Sequence, residues 1–134
     1  MVKLKRTDIR VLDDAFDMHG GYVLDFSDRT IAEFFEEEFG IDFDDPRYQA
    51  NGTSKAKRLR TFLSIEDAYQ FCRVTRALWK YRETLANYRQ NAAETERIKD
   101  ALFELIGRVE GGGAVPRTDA LYQFKPDETL EELI

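Results

Sequence analysis

Cysteine and histidine are nearly missing from this chain: among 134 residues there is one of each, Cys72 and His19, and only three prolines. A single cysteine cannot close an internal disulfide, which excludes a disulfide-stapled scaffold and agrees with a reducing compartment. No stretch approaches the roughly 18 consecutive apolar residues of a spanning helix. The opening run Met1-Val2-Lys3-Leu4-Lys5-Arg6-Thr7-Asp8 lacks the apolar core of a secretory signal, so the expected location is the cytoplasm, with no membrane contact. The one glycine run, Gly111-Gly112-Gly113, follows a helical pattern and has no Gly-Lys-Ser/Thr beside it. It reads as a helix stop and not as a phosphate loop.

What is present points to one folded domain. Hydrophobic residues make up 43% of the chain, aromatics 13% and charged residues 34%, too much Phe and Tyr for disorder and too much charge for a membrane protein. A chain of this length can bury roughly 65–70% of the surface its unfolded form exposes. Neither metal nor disulfide is needed for stability, and no cofactor is expected.

The net charge of −6 hides an internal alternation. Residues 1–50 hold six basic and thirteen acidic side chains, residues 51–90 nine and three, and residues 91–134 five and ten. The segments are therefore −7, +6 and −5. Such segregation predicts a charged contact face for an anion, a nucleic-acid backbone or an acidic partner segment.

Periodicity predicts an all-α fold, a compact bundle of about five to six helices around one long central helix. Ile9, Leu12 and Phe16 mark a first amphipathic helix opened by Thr7 or Asp8 and ended near His19-Gly20-Gly21. Tyr22 to Phe26 alternates but has no partner strand, so it is an extended connector. Ser27 or Thr30 caps a second helix bearing Ile31, Phe34, Phe35 and Phe39, with Gly40 as its left-handed stop and Thr30/Glu33 as its capping box. Asp44-Asp45-Pro46 starts a single turn, broken at Asn51-Gly52. Ser54 or Thr53 then caps a helix with Ala56, Leu59, Phe62 and Leu63 inward and Lys55, Lys57, Arg58 and Arg60 largely outward. From Ser64 and Asp67 to about Tyr88, the longest helix carries Phe71, Val74, Leu78, Tyr81, Leu85 and Tyr88, with Ile65, Ala68, Cys72 and Trp79 beside them, and is the predicted spine. Ile98, Leu102, Leu105 and Val109 mark a further helix.

Residues 1–110 are thus read as a helical domain and 111–134 as a glycine-rich stop, a loop at Ala114-Val115-Pro116-Arg117 and a short helix from Asp127. That helix, with Leu130, Leu133 and Ile134 apolar, is barely two turns long where the chain stops, and so short a helix is marginal alone. The expectation is a fragment of a longer protein, with 111–134 the start of a following domain.

No catalytic constellation emerges. His19 beside Gly20-Gly21 suits a helix C-terminus, where a cationic imidazole meets the dipole. Arg10 precedes it by nine positions, longer than the Arg-to-His spacing of HEPN ribonucleases, so RNA cleavage of that type is not expected. Cys72 lies on an apolar stripe with no base to ionise it. Asp42, Asp44 and Asp45, near Glu36, Glu37 and Glu38, lack the glycine and the final Glu of an EF-hand loop and read as turn and solvation groups. The chain is expected not to be an enzyme. The binding candidates are the basic residues Lys55, Lys57, Arg58, Arg60, Arg73, Arg76 and Lys80, the last three on one helical stripe. Pairing with the acidic flanks is favoured over nucleic-acid contact, in which Tyr69, Trp79 or Tyr81 could stack on bases where exposed.

Gly20-Gly21-Tyr22-Val23-Leu24-Asp25-Phe26-Ser27-Asp28-Arg29-Thr30, followed by Phe34-Phe35, Asp44-Asp45-Pro46-Arg47-Tyr48 and Gly52-Thr53-Ser54-Lys55-Ala56-Lys57-Arg58-Leu59-Arg60, resembles an N-terminal region of bacterial abortive-infection (AbiJ-like) phage-defence proteins. The similar stretch spans roughly residues 7–88. The resemblance implies a sensor or regulatory module placed before a helical effector domain, and it supplies no catalytic residues. The expected function is a non-catalytic sensor or interaction module that docks on a protein partner, on another copy or on a downstream effector domain. The alternatives are a nucleic-acid-binding domain using the basic helix pair at 54–89, or a small phage or mobile-element inhibitor protein.

Overall fold

The computed structural model describes residues 2–112, and the stretches of three-four apolar spacing within them fall on helices. Five α-helices follow in order: α1 (Arg6–Phe16), α2 (Asp28–Phe39), α3 (Lys55–Ile65), α4 (Ala68–Glu83) and α5 (Ala92–Gly112). Short 3₁₀ turns lie at Pro46–Gln49 and Ala86–Tyr88. There is no strand among the described residues, and the fold is an all-α helical bundle. The expected loop after Gly113 and the helix from Asp127 lie outside the described residues.

Helix ends follow local hydrogen-bond chemistry. Asp8 does not cap α1 in its own position; its Oδ2 reaches back to accept the Lys5 N–H at 2.9 Å, so the helix starts at Arg6. At the other end Asp17 takes the left-handed conformation (φ 52°) that a glycine usually supplies, ahead of Gly20-Gly21. Ser27 caps α2, its Oγ accepting from the Thr30 N–H while Thr30 Oγ1 accepts from the Ser27 N–H. The reciprocal pair is therefore Ser27/Thr30 and not Thr30/Glu33, because Thr30 already lies inside the helix. Gly40 closes α2 with φ 65°, Asp45 caps the Pro46 turn, and Ser54 and Asp67 cap α3 and α4.

The predicted spine is split. Thr84 turns its hydroxyl onto the Tyr81 carbonyl at 2.7 Å, and Leu85 is extended (φ −98°, ψ 117°). A side-chain bond of this kind competes with the helix ladder, so α4 ends at Glu83 and α5, with 21 residues, is the longest helix among the described residues. The apolar period runs on to Leu85 and Tyr88 because the second 3₁₀ turn keeps both half-buried against the core. Gly111 and Gly112 continue α5 instead of stopping it.

α4 packs on both α1 and α5, and α1 packs on α5. Leu12, Ala15 and Phe16 of α1, Phe71, Val74 and Leu78 of α4, and Leu102, Leu105 and Ile106 of α5 are all buried. The second half of the core is aromatic. Phe35 meets Phe43 at 4.5 Å between centroids and Phe62 at 5.5 Å, Phe62 meets Tyr48 at 5.1 Å, and Phe26 stacks on Tyr81 at 4.4 Å. Rings at these separations attract beyond their buried area. They join α2, the Pro46 turn and α3 to α4.

One ion pair crosses nearly the whole sequence. Arg108 Nη2 donates to Asp8 Oδ1 at 2.6 Å, and the Asp8 side chain is almost wholly buried. Burial pushes the Asp8 carboxyl up, but the Lys5 N–H and the Arg108 guanidinium outweigh it and hold the group below its ordinary value of 3.8.

Two tests follow from this packing. Leu78 is fully buried on α4, so Leu78→Ala should cost about 2–5 kcal/mol in urea unfolding; a variant as stable as the wild type would contradict the central position of α4. Because Asp8 is more acidic folded than unfolded, its contribution is complete above the unfolded value and is lost as pH falls through the lower folded one. Unfolding at decreasing pH should therefore show an acid-labile component that Asp8→Asn removes.

Candidate functional site

The basic stretch folds inward. Arg58 is buried, donating from Nη1 to Asp44 at 2.8 Å, from Nη2 to Asp28 at 2.9 Å and from Nε to the Thr53 carbonyl at 3.1 Å, with its guanidinium over the Phe43 ring. It was expected outward; α3 is packed on so much of its circumference that Ala56, Arg58, Leu59, Thr61, Phe62 and Leu63 are all buried. Lys55 lies 3.8 Å from Asp28, and Arg60 bonds Asp13 at 2.9 Å and the Met18 carbonyl at 3.1 Å. On α4, Arg73 donates to Gln70 and to the Phe39 carbonyl, and Arg76 makes a two-bond pair with Glu110 at 2.9 and 3.0 Å. The Glu110 hydrogen bond raises the Arg76 pKa. Lys57 and Lys80 alone of the seven are exposed and outside any ion pair among the described residues. The Lys57 stem lies over Gly52 (φ 135°), where an added Cβ would come within 2.3 Å of its Cδ.

The other sequence candidates have structural duties. His19 Nε2 stands 3.0 Å from Asp14 Oδ1 on the surface, just past the end of α1. Burial pushes the Cys72 thiol up to about 11, and it lies against the Ile106 carbonyl. Asp42 accepts the Asp44 N–H and Asp45 the Arg47 N–H, as turn formers do. No acidic, histidine or cysteine group of metal-binding shape occurs among the described residues. Tyr81 is half-buried with its hydroxyl on Asp25, Trp79 is buried, and Tyr69 is exposed with Arg73 over its ring.

Two concavities stand out among the described residues. A groove of about 570 Å³ runs along α2, lined by Asp28, Glu33, Glu36, Glu37, Asp42 and Asp44 with Arg29, Ala32 and Ile41. Its rim is six carboxylates to one guanidinium. Glu33 pairs with Arg29 and Asp28 and Asp44 with Arg58, whereas Glu36 and Glu37, like the neighbouring Glu38, are exposed and in no ion pair among the described residues. Consecutive glutamates on a predicted surface helix are visible in the sequence; that the basic segment would leave them unneutralised is not.

The second is a cleft of about 310 Å³ among Trp79, Arg82, Glu83, Tyr88, Arg89, Ala92, Thr95 and Glu96. Arg82 is buried, with its guanidinium 4.7 Å from the Trp79 ring and 5.1 Å from the Tyr88 ring. Nη1 donates to the carbonyls of Ala15 at 2.9 Å and Asp14 at 3.5 Å, which ties α4 to the end of α1. Burial lowers its pKa against the Tyr88, Asp17 and Glu94 oxygens; from so high an ordinary value the group remains charged. In the sequence Arg82 counts with the basic helix pair at 54–89 but not among the seven binding candidates, although it falls on the stripe through Phe71, Thr75 and Leu78.

No protein-family model, no curated protein and no solved structure matches the chain.

Arg58→Ala should cost about 2–3 kcal/mol, the scale of charged hydrogen bonds lost from a buried site, with Arg58→Lys recovering only part. A loss below about 0.5 kcal/mol, as at a free surface position, would contradict its structural role. Burial pushes Tyr48, Tyr81 and Tyr88 up to about 12, helped by their bonds to Glu66, Asp25 and Asp17. Their contribution is complete below the ordinary value of 10.0 and is lost as pH rises through about 12. Absorbance titration should show late tyrosine ionisation coinciding with unfolding; full tyrosine ionisation below pH 11 would contradict it.

Proposed function

We propose that this chain is a non-catalytic interaction module whose acidic α2 groove docks a basic protein surface. The observation that carries this reading is where the charge is spent: the cations of α3 and α4 are mostly engaged inside the domain, while Glu36, Glu37 and Glu38 stand exposed and unpaired by any cation among the described residues. Opposite charge steers encounter and suppresses wrong partners. A polyanion would meet the reverse arrangement, an overall charge of −6 with Lys57 and Lys80 as the exposed members of the basic set outside any ion pair among the described residues. Binding along a nucleic-acid backbone needs several phosphate contacts, each contributing about −0.9 to the log-log salt slope on duplex DNA.

The resemblance of residues 7–88 to AbiJ-like N-terminal regions supports placing this module in a bacterial phage-defence protein, as a sensor or regulator of an effector domain. Plating phage on bacteria with and without the gene tests that placement. The intact gene should lower plating, and Glu36→Lys/Glu37→Lys/Glu38→Lys should restore it in a protein that stays folded. Equal plating with and without the gene removes the phage-defence assignment. Anisotropy with duplex DNA and with RNA at near-physiological salt should show no submicromolar binding; such binding, lost in folded Lys57→Glu/Lys80→Glu, would replace docking with nucleic-acid recognition.

A further inference from the structure

We propose that the cleft between the end of α4, the second 3₁₀ turn and the start of α5 binds a small organic carboxylate with an apolar or aromatic body. This goes beyond the docking reading and does not depend on it.

A guanidinium carries five N–H donors in one plane. In Arg82 the Nη1 end is occupied by the Ala15 and Asp14 carbonyls of α1. Nε is buried without a hydrogen-bond partner, and Nη2 makes none among the described residues. An unpaired buried donor is costly and rare in native proteins, more so on a charged group. The two unbonded positions are adjacent: Nε–H and the near Nη2–H point the same way, the fork that a carboxylate meets with two parallel bonds. The Trp79 and Tyr88 rings lie 4.7 and 5.1 Å from the guanidinium carbon, which leaves its unbonded edge as the place for an anion.

The walls choose among anions. Glu83 and Glu96 also line the cleft and would repel a dianionic phosphate, whereas a monoanion faces a balance of Arg82 and Arg89 against the two glutamates. Glu83 is partly engaged already, accepting from Trp79 Nε1 at 3.1 Å and lying 3.9 Å from Lys99. The remaining lining is ring and methyl surface from Trp79, Tyr88, Ala92 and Thr95, suited to a compact apolar body. The volume of about 310 Å³ sits at the small end of ligand sites.

Trp79 is the only tryptophan in the chain, so its fluorescence reports on this cleft alone. Titrating the full chain with benzoate, phenylacetate and hexanoate should give a saturable change with at least one of them. The alcohol of the same skeleton should bind about tenfold or more weakly, for want of the charged pair of bonds. The Arg82 Nε–H proton resonance should move with the same midpoint. Ala92→Phe, at an exposed position lining the cleft, should fill it and abolish the response with circular dichroism unchanged. Arg82→Lys, which keeps the charge without the fork, should also abolish it. No saturable change with any of the three acids would overturn the proposal. So would an equal response to the alcohol, a response unaltered in folded Ala92→Phe, or tighter binding of phenyl phosphate than of phenylacetate.

Discussion

A buried guanidinium recruits acceptors, and that demand draws together segments that the sequence keeps far apart. Arg82 reaches back across 67 residues to the carbonyl end of α1, and Arg60 reaches the same region across 42 and 47 residues. Arg58 gathers Asp28, Asp44 and Thr53, so the start of α2, the loop before the Pro46 turn and the start of α3 meet at one side chain. Such bonds contribute modest net stability when made and are costly to leave unmade. They act mainly by specifying which helix ends meet, while the apolar core supplies the driving force.

The same constraint explains the charge alternation. A +6 segment between two acidic flanks suggests a face turned outward, yet each guanidinium in an apolar neighbourhood recruits carboxylates and carbonyls from the flanks. The surplus acid then remains on α2, which carries the consecutive Glu36, Glu37 and Glu38 at its exposed side. Net charge per segment counts what is present, whereas the surface field depends on what is left after pairing. Pairing leaves little of the +6 segment's charge outward and leaves these three α2 glutamates unmatched by any cation among the described residues, and it is this remainder that a partner meets.

The helices were legible because their apolar stripes follow one period, the stop at Gly40 because glycine favours a left-handed cap, and the turn start at Pro46 because proline suits a first helical position. The same stripes contained the buried charges. Asp8 precedes Leu12, Ala15 and Phe16 by four, seven and eight positions, and Arg82 follows Phe71, Thr75 and Leu78 at eleven, seven and four; a charged residue in register with core positions is itself a sign of a buried pair. What could not be read was the partner, since Arg108 lies 100 residues from Asp8 and no local rule links them. The end of α4 was hidden for a different reason: the 3₁₀ turn after Thr84 preserves the apolar period while breaking the helix. The cleft beside Arg82 exists because of that break, which lets the chain turn from α4 into α5 around Tyr88.

The packing of α1 on α5 also bears on how the chain is made. During synthesis α1 emerges well before α5, yet the apolar side it offers α5 and its buried carboxylate stay unmet until Arg108 has left the ribosome. At about 5–20 residues per second that interval is roughly 5–20 s, long beside the microseconds a helix needs to form. Helices α1 to α4 must therefore hold an incomplete core while they wait, with the aromatic cluster of α2, α3 and α4 as the part that can close early. Closure of α5 over α1 is a late, long-range event, and a nascent chain held before that point presents an apolar stripe to whatever is nearby.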